Sequence, residues 1–279
     1  MLDIMCSKGK DCLCARSLSA FDVSLNKIGA STGLAGIELL RESRSAELQD
    51  FSRCVRQDQS LREIGGSIRR SLIQISQCPG IGKTTLLGLL AMQYSDTLGE
   101  ASNTEIIGSL VTFNGVHMAV NIADVSVEAA LCIRVIYGAL SCHSSCPGKA
   151  CPNLFDLQRI ARSAKNAEQV YGISVLSTRR ALWKWFGPRP IFLGIDEALK
   201  CEDGTGGTDE KLKKLLTASG TFLDVGRDEP PVCVVLTALS PDSYMRASIA
   251  SNRVIENILI YPSKLSAWPC FGLLHQRSL

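Results

Sequence analysis

Residues Leu72 to Thr84 read Leu-Ile-Gln-Ile-Ser-Gln-Cys-Pro-Gly-Ile-Gly-Lys-Thr, and the reading of the whole chain starts from them. Leu72–Ser76 is a short apolar run of strand type, Pro79 and Gly80 break it, and Thr84–Met92 is apolar with helical character. Gln77–Thr84 fits the pattern G-x-x-x-x-G-K-[ST] at every required position except the first, where Gln77 replaces glycine. Gly80 and Gly82 permit close backbone approach that a Cβ would obstruct. The N–H groups of such a loop form an anion nest, backed by the positive end of the helix that follows. Cys78, Pro79, Gly80, Ile81, Gly82, Lys83, Thr84 and Thr85 are therefore the candidate contacts to a nucleotide's phosphates. Lys83 would reach the β- and γ-phosphates, and the Thr84 hydroxyl would bind Mg²⁺.

A phosphate loop of this kind demands a second strand that ends in an acid near the metal. Ile191-Phe-Leu-Gly-Ile-Asp-Glu197 meets the demand. The apolar residues bury the strand and set Asp196 at its carboxyl end, where it would hold magnesium directly or through water. Glu197 is the candidate base for an attacking water. A further apolar run, Val232–Thr237, ends in hydroxyls. Where such a strand lies between the two motif-bearing strands, a polar residue at its end contacts the γ-phosphate or the water. Thr237 and Ser240 are both candidates, and Ser240 before Pro241 is equally suited to capping a turn.

The remaining segments predict an α/β architecture. Helical patterns cover Val125–Leu140, Asp156–Gln169, Thr178–Phe186 and Asp209–Ala218, and strand-like runs cover Ile106–Phe113, Ile191–Ile195, Val232–Thr237 and Ile255–Tyr261. Apolar runs without alternation, separated by helices, indicate a parallel sheet covered on both faces. The expectation is a three-layer α/β/α P-loop NTPase with a mainly parallel sheet of about five strands. Residues 1–66 form an amino-terminal extension with a helical pattern from Ile37 to Ile64, carrying Leu40, Leu48, Phe51, Val55 and Leu61 among many charges. Gly65-Gly66 marks the boundary, 67–262 the NTPase domain and 263–279 an irregular tail.

Composition limits the alternatives. Of 279 residues, 46% are hydrophobic and 20% charged, enough for a substantial core. Thirty Lys and Arg against 27 Asp and Glu leave a net charge of +3, which excludes a strongly basic nucleic-acid wrapper. Direct nucleic-acid binding is not indicated, and the Lys211, Lys213, Lys214 cluster reads as a solvated helix face. Twelve cysteines are too sparse for a secreted disulfide scaffold. No signal-peptide pattern or membrane span is visible, so free thiols in a reducing, intracellular compartment are expected. Cys142, His143, Cys146 and Cys151 have poor spacing for a zinc site. Cys78 lies inside the phosphate loop, and Arg253 could contact a phosphate. Trp183 and Trp185 are expected to pack against the sheet.

Taken together, Cys78–Thr84, Val111-Thr-Phe-Asn-Gly115, Arg134-Val-Ile-Tyr137, Pro190–Glu197 and Leu236-Thr-Ala-Leu-Ser-Pro241 resemble a known module. It is the ATPase module of Crinkler-type effectors and of the related retrotransposon hot spot proteins of trypanosomatids. The resemblance covers roughly residues 70–265, and Thr112–Gly115 with Leu236–Pro241 carry its narrower part. It implies an ATP-binding, ATP-hydrolysing domain of the additional-strand (AAA/STAND-like) type. It also implies an intracellular protein, nuclear or cytoplasmic, with the nucleus suggested by the resemblance alone.

The leading expectation is a Mg²⁺-dependent ATPase in which Lys83 binds ATP, Asp196 and Thr84 hold the metal and Glu197 activates water. The rival is a nucleotide-binding interaction module without turnover, acting through an unidentified protein partner, with oligomerisation left open. A nucleotide or small-molecule kinase, with Arg159, Arg162, Arg179 and Arg180 as weak candidates for an Arg-rich lid, is a third reading.

Overall fold

The protein is described by a computed structural model over residues 38–64, 70–76, 83–99, 105–113, 126–143, 173–198, 208–238 and 254–260. After a helical stretch at 38–43, the elements are α1 (Ser45–Ile64), β1 (Leu72–Ser76), α2 (Lys83–Leu98), β2 (Ile107–Thr112) and α3 (Val127–His143). Then follow α4 (Val175–Phe186), β3 (Ile191–Asp196), α5 (Thr208–Leu223), β4 (Val232–Ala238) and β5 (Ile255–Ile258). The helix expected at Asp156–Gln169 lies outside the described residues.

Among the described residues the five strands form one sheet in the order β2-β3-β4-β1-β5, and every neighbouring pair is parallel. Because side chains alternate across a strand, each strand feeds two cores. Leu72, Val111, Leu193, Ile195, Val234 and Leu236 point to one face, where α3, α4 and α5 supply Leu131, Val135, Leu182, Leu215 and Phe222. Ile73, Ile75, Phe192 and Val235 point to the other, where α1 and α2 supply Phe51, Val55, Leu86, Leu87 and Leu90. This is a three-layer α/β/α fold, as expected, with the additional strand β4 set between β1 and β3. The chain leaves β1 over one face through α2 and returns from β2 to β4 over the other. That reversal follows from right-handed parallel crossovers running in opposite directions along the sheet.

Helix α1 is part of the packing. Phe51 stacks edge-on against Phe192 of β3, with ring centroids 6.3 Å apart. Polar contacts join α1 to α2, since Gln93 Nε2 donates to Ser52 Oγ at 2.8 Å and the Ser52 and Thr97 hydroxyls lie 3.1 Å apart. Three arginines converge on the α5–β4 connection. Arg62 Nη2 donates to the carbonyls of Gly226, Arg227 and Glu229, and Arg70 Nη2 donates to Val225 O at 2.9 Å. Arg179 Nη1 donates to the carbonyls of Thr221, Phe222 and Asp224. Carbonyls left over at a helix end need donors, and long arginine forks provide them. Arg179 is thus buried in a structural role, which removes it from the arginines considered for a kinase.

Trp183 and Trp185 pack against the core on the α3–α5 side, as expected, and Trp183 Nε1 donates to Arg189 O at 3.0 Å. Helix α4 begins at Val175, three residues before the expected Thr178, because Ser174 caps it. The Ser174 side chain accepts from Ser177 N while the Ser177 side chain accepts from Ser174 N.

Candidate functional site

In an all-parallel sheet the strand ends form one edge. Register places Ser76 opposite Ala238 and Thr112 opposite Asp196, with Ile195 opposite Leu236. Asp196 closes β3 and Thr237 stands one residue from the end of β4. Alternation puts both on the face where Phe192, Val235 and α2 pack. Helix α2 opens on that face with Lys83, which is only 7% exposed. The local sequence makes this close fit: a Cβ on Gly194 would stand 2.5 Å from Leu110 Cδ2 and 3.5 Å from Leu87 Cδ2. Glycine there allows α2 and β2 to close over β3 immediately before Asp196.

One hydroxyl organises the acidic pair. Thr237 Oγ1 donates to Asp196 Oδ1 at 2.5 Å, and Glu197 N donates to Thr237 Oγ1 at 3.0 Å. A hydroxyl has one proton and two lone pairs, so Thr237 can tie the carboxylate of one residue to the backbone of the next. The bond to the carboxylate is charge-assisted and therefore among the stronger kinds. Phe113 N donates to Asp196 O at 3.2 Å, which fixes the same step from the β2 side. Glu197 has φ 50, in the left-handed region that a residue with a Cβ adopts at a cost. The chain therefore turns sharply at Glu197, directly after the strand.

Asp196, Glu197 and Thr237 are thus brought into hydrogen-bond contact, and Lys83 opens the helix on their face of the sheet. Thr84 and Thr85 follow Lys83 in the first turn of α2. Cys78, Pro79, Gly80, Ile81 and Gly82 lie outside the described residues, as do Gln77, Ser240, Arg253, Cys146 and Cys151. Among the described residues no group of three or more His, Cys, Asp and Glu side chains could hold a metal. No helix among them is long and apolar enough to cross a membrane.

The sequence reading assigned no role to Arg134. It is 2% exposed in the middle of α3, with Nε 3.4 Å from Thr112 O and Cζ 4.6 Å from the Phe113 ring centroid. The signal was a single arginine inside an otherwise apolar stretch of helix.

No family model matches the chain, and no curated protein matches it. Among solved structures it is similar to the Aeropyrum pernix ORC2 protein, determined as ADPNP–ADP complexes, at 13% identity with a TM-score of 0.37. The match covers 78% of this chain and 48% of that one, so the chain spans about half of that protein's length. The fold assignment rests on strand order and register, not on this match.

Proposed function

We propose that the chain is a nucleotide-binding module that binds ATP with Mg²⁺ and hydrolyses it. The observation that carries the reading is the Thr237 bridge between Asp196 Oδ1 and Glu197 N, at the sheet edge and on the face where Lys83 opens α2. In this reading the N–H groups of Cys78, Gly80, Ile81 and Gly82 and the ammonium of Lys83 bind the phosphates. The donors offered to a metal are the Asp196 carboxylate and the Thr84 hydroxyl, hard oxygens of the kind magnesium selects. Magnesium, when bound, supplies charge neutralisation at the β- and γ-phosphate oxygens. Glu197 accepts the proton of the attacking water, while the bond from its N–H to Thr237 Oγ1 holds its backbone. Thr237 keeps Asp196 and Glu197 in register and would contact the γ-phosphate or the water.

The likeness of Thr112–Gly115 and Leu236–Pro241 to the Crinkler and retrotransposon hot spot ATPase module supplies a narrower reading, resting on those residues alone. Residues 67–262 are taken as the module, with 1–66 as an extension and 263–279 as a tail.

Measuring ATP binding and turnover with magnesium tests the proposal. Lys83→Ala should abolish binding. Glu197→Gln should keep binding and lower kcat by about 10²- to 10⁴-fold, the span of general-base effects. Turnover by Glu197→Gln at the parental rate would remove that residue from its role. Gln77 in place of glycine favours a second reading, an interaction module that binds nucleotide without hydrolysing it. Binding without turnover in the parent, with turnover gained in Gln77→Gly, would support that reading.

A further inference from the structure

Arg134 is the only charged side chain in α3 after Glu128, and it is among the largest side chains buried in the molecule. Removing a guanidinium from water is costly unless its donors and its flat faces are matched. A leucine or methionine would fill the same space without that cost. Two of the contacts of Arg134 run to the end of β2 and one to its own helix. Its Nε donates to Thr112 O at 3.4 Å and its Nη1 to Ala130 O at 3.2 Å, while its Cζ lies 4.6 Å from the Phe113 centroid. Thr112 is the register partner of Asp196, and Phe113 N donates to Asp196 O.

The guanidinium therefore straps down the two residues that grip the end of β3. Among the described residues strand β2 is at the sheet edge, with β3 as its neighbour, and the ends of edge elements open most readily. The residue after this grip is Glu197, whose φ of 50 persists only where the surroundings over-determine it.

We propose that Arg134 is a positioning residue: by clamping Thr112 and Phe113 at the end of β2, it fixes the backbone at Asp196–Glu197. Its consequence for turnover rests on the ATPase reading; its consequence for the backbone does not. The contact to Thr112 O needs a directional donor and the contact to Phe113 needs a planar cation, so arginine suits the position better than lysine.

Arg134→Met, Arg134→Lys and Phe113→Leu, made in the full chain, test this by steady-state ATP hydrolysis and amide hydrogen exchange. For Arg134→Met, kcat should fall about 10- to 100-fold, the effect of a small misplacement of catalytic groups. KM for ATP should stay within about threefold, because Lys83 is held by α2 rather than by β2. The Phe113 and Glu197 amides should lose protection while those of Ile73 and Val235 in the sheet centre keep theirs. Arg134→Lys should recover only part of kcat. Phe113→Leu, which keeps the charge, should show the same exchange pattern with a kcat loss of about three- to tenfold.

Parental kcat in Arg134→Met, or equal loss of protection at Ile73, Val235, Phe113 and Glu197, would overturn the proposal. If Arg134→Met does not fold, the Lys and Leu variants decide it by the same criteria. If the parent hydrolyses no ATP, the ATPase reading fails and the exchange pattern alone decides the role of Arg134.

Discussion

At the scale of single residues, the Thr237 hydroxyl makes the sharpest demand on the chemistry, because it is buried between a carboxylate and a backbone N–H. Replacing it with the near-isosteric valine leaves both partners without it. Thr237→Val should therefore cost about 1–3 kcal/mol in urea unfolding, and it should lower kcat more than it raises KM. Thr237→Ser keeps the hydroxyl and should stay within about 1 kcal/mol of the parent, the cost of one lost methyl group. A valine variant as stable as the serine variant would mean that the bridge contributes nothing. That Asp196 would close its strand was legible in the sequence, because the apolar run Ile191–Ile195 has to end at the acidic pair that follows it. The partner of Thr237 was not legible, since nothing local in Val232–Thr237 says which residue of β3 its hydroxyl will meet. Arg134 was still less legible: a lone arginine in an apolar helix does not announce which carbonyls it will meet.

Between elements, α3 approaches the sheet closely. Ser109 Oγ donates to Val135 O at 2.9 Å, and a Cβ on Gly138 would stand 2.5 Å from Ser109 Oγ and 2.9 Å from Leu110 O. Backbone cannot give way there, so Gly138→Ala should destabilise by about 1–3 kcal/mol despite the better helix propensity of alanine. Gly88 in α2 is the control, because a Cβ there meets nothing within 4 Å. Gly88→Ala should raise stability by about 0.5–1 kcal/mol. Thermal unfolding of the two variants side by side reads both signs, and a stabilising Gly138→Ala would contradict the packing described. The strands were legible because their apolar runs are bounded by turns and carry no alternation, which buried parallel strands require. The helix ends were less so. Helix α4 opens with Ser174-Val-Leu-Ser177, which lacks the acidic or amide residue that usually marks a reciprocal cap. The clamps from Arg62, Arg70 and Arg179 onto the α5–β4 connection join segments far apart in sequence, which no local pattern reveals.

For the whole molecule, the buried weak acids set a limit at high pH. Burial pushes the Cys132 thiol up to about 12 from an ordinary value of 9.0. Burial likewise holds the Cys233 thiol and the Tyr94 hydroxyl well above their usual values. Groups raised in the folded state contribute stability that is complete below their unfolded values and is lost as pH rises toward the folded ones. Stability should therefore hold up to about pH 9 and fall between there and pH 12. Each such group adds a slope of up to about 1.4 kcal/mol per pH unit. Urea midpoints across pH 8–11 check this, and Cys132→Ala should show a shallower decline than the parent whatever its starting stability. An equally steep decline would assign the alkaline loss to other groups.

The strand order also has a consequence in time. The chain completes β1 at Ser76, but β4, the neighbour that joins β1 to β3, does not begin until Val232, and β5 follows at Ile255. During synthesis, strands β2 and β3 can pair early while β1 waits with both edges open, on the order of ten seconds at ordinary translation rates. Sheet closure is therefore a late and long-range event, of the kind that slows folding. A ribosome-bound chain that stops short of Ala238 should remain sensitive to protease across Leu72–Ser76, even though its loop and first helix have already been made.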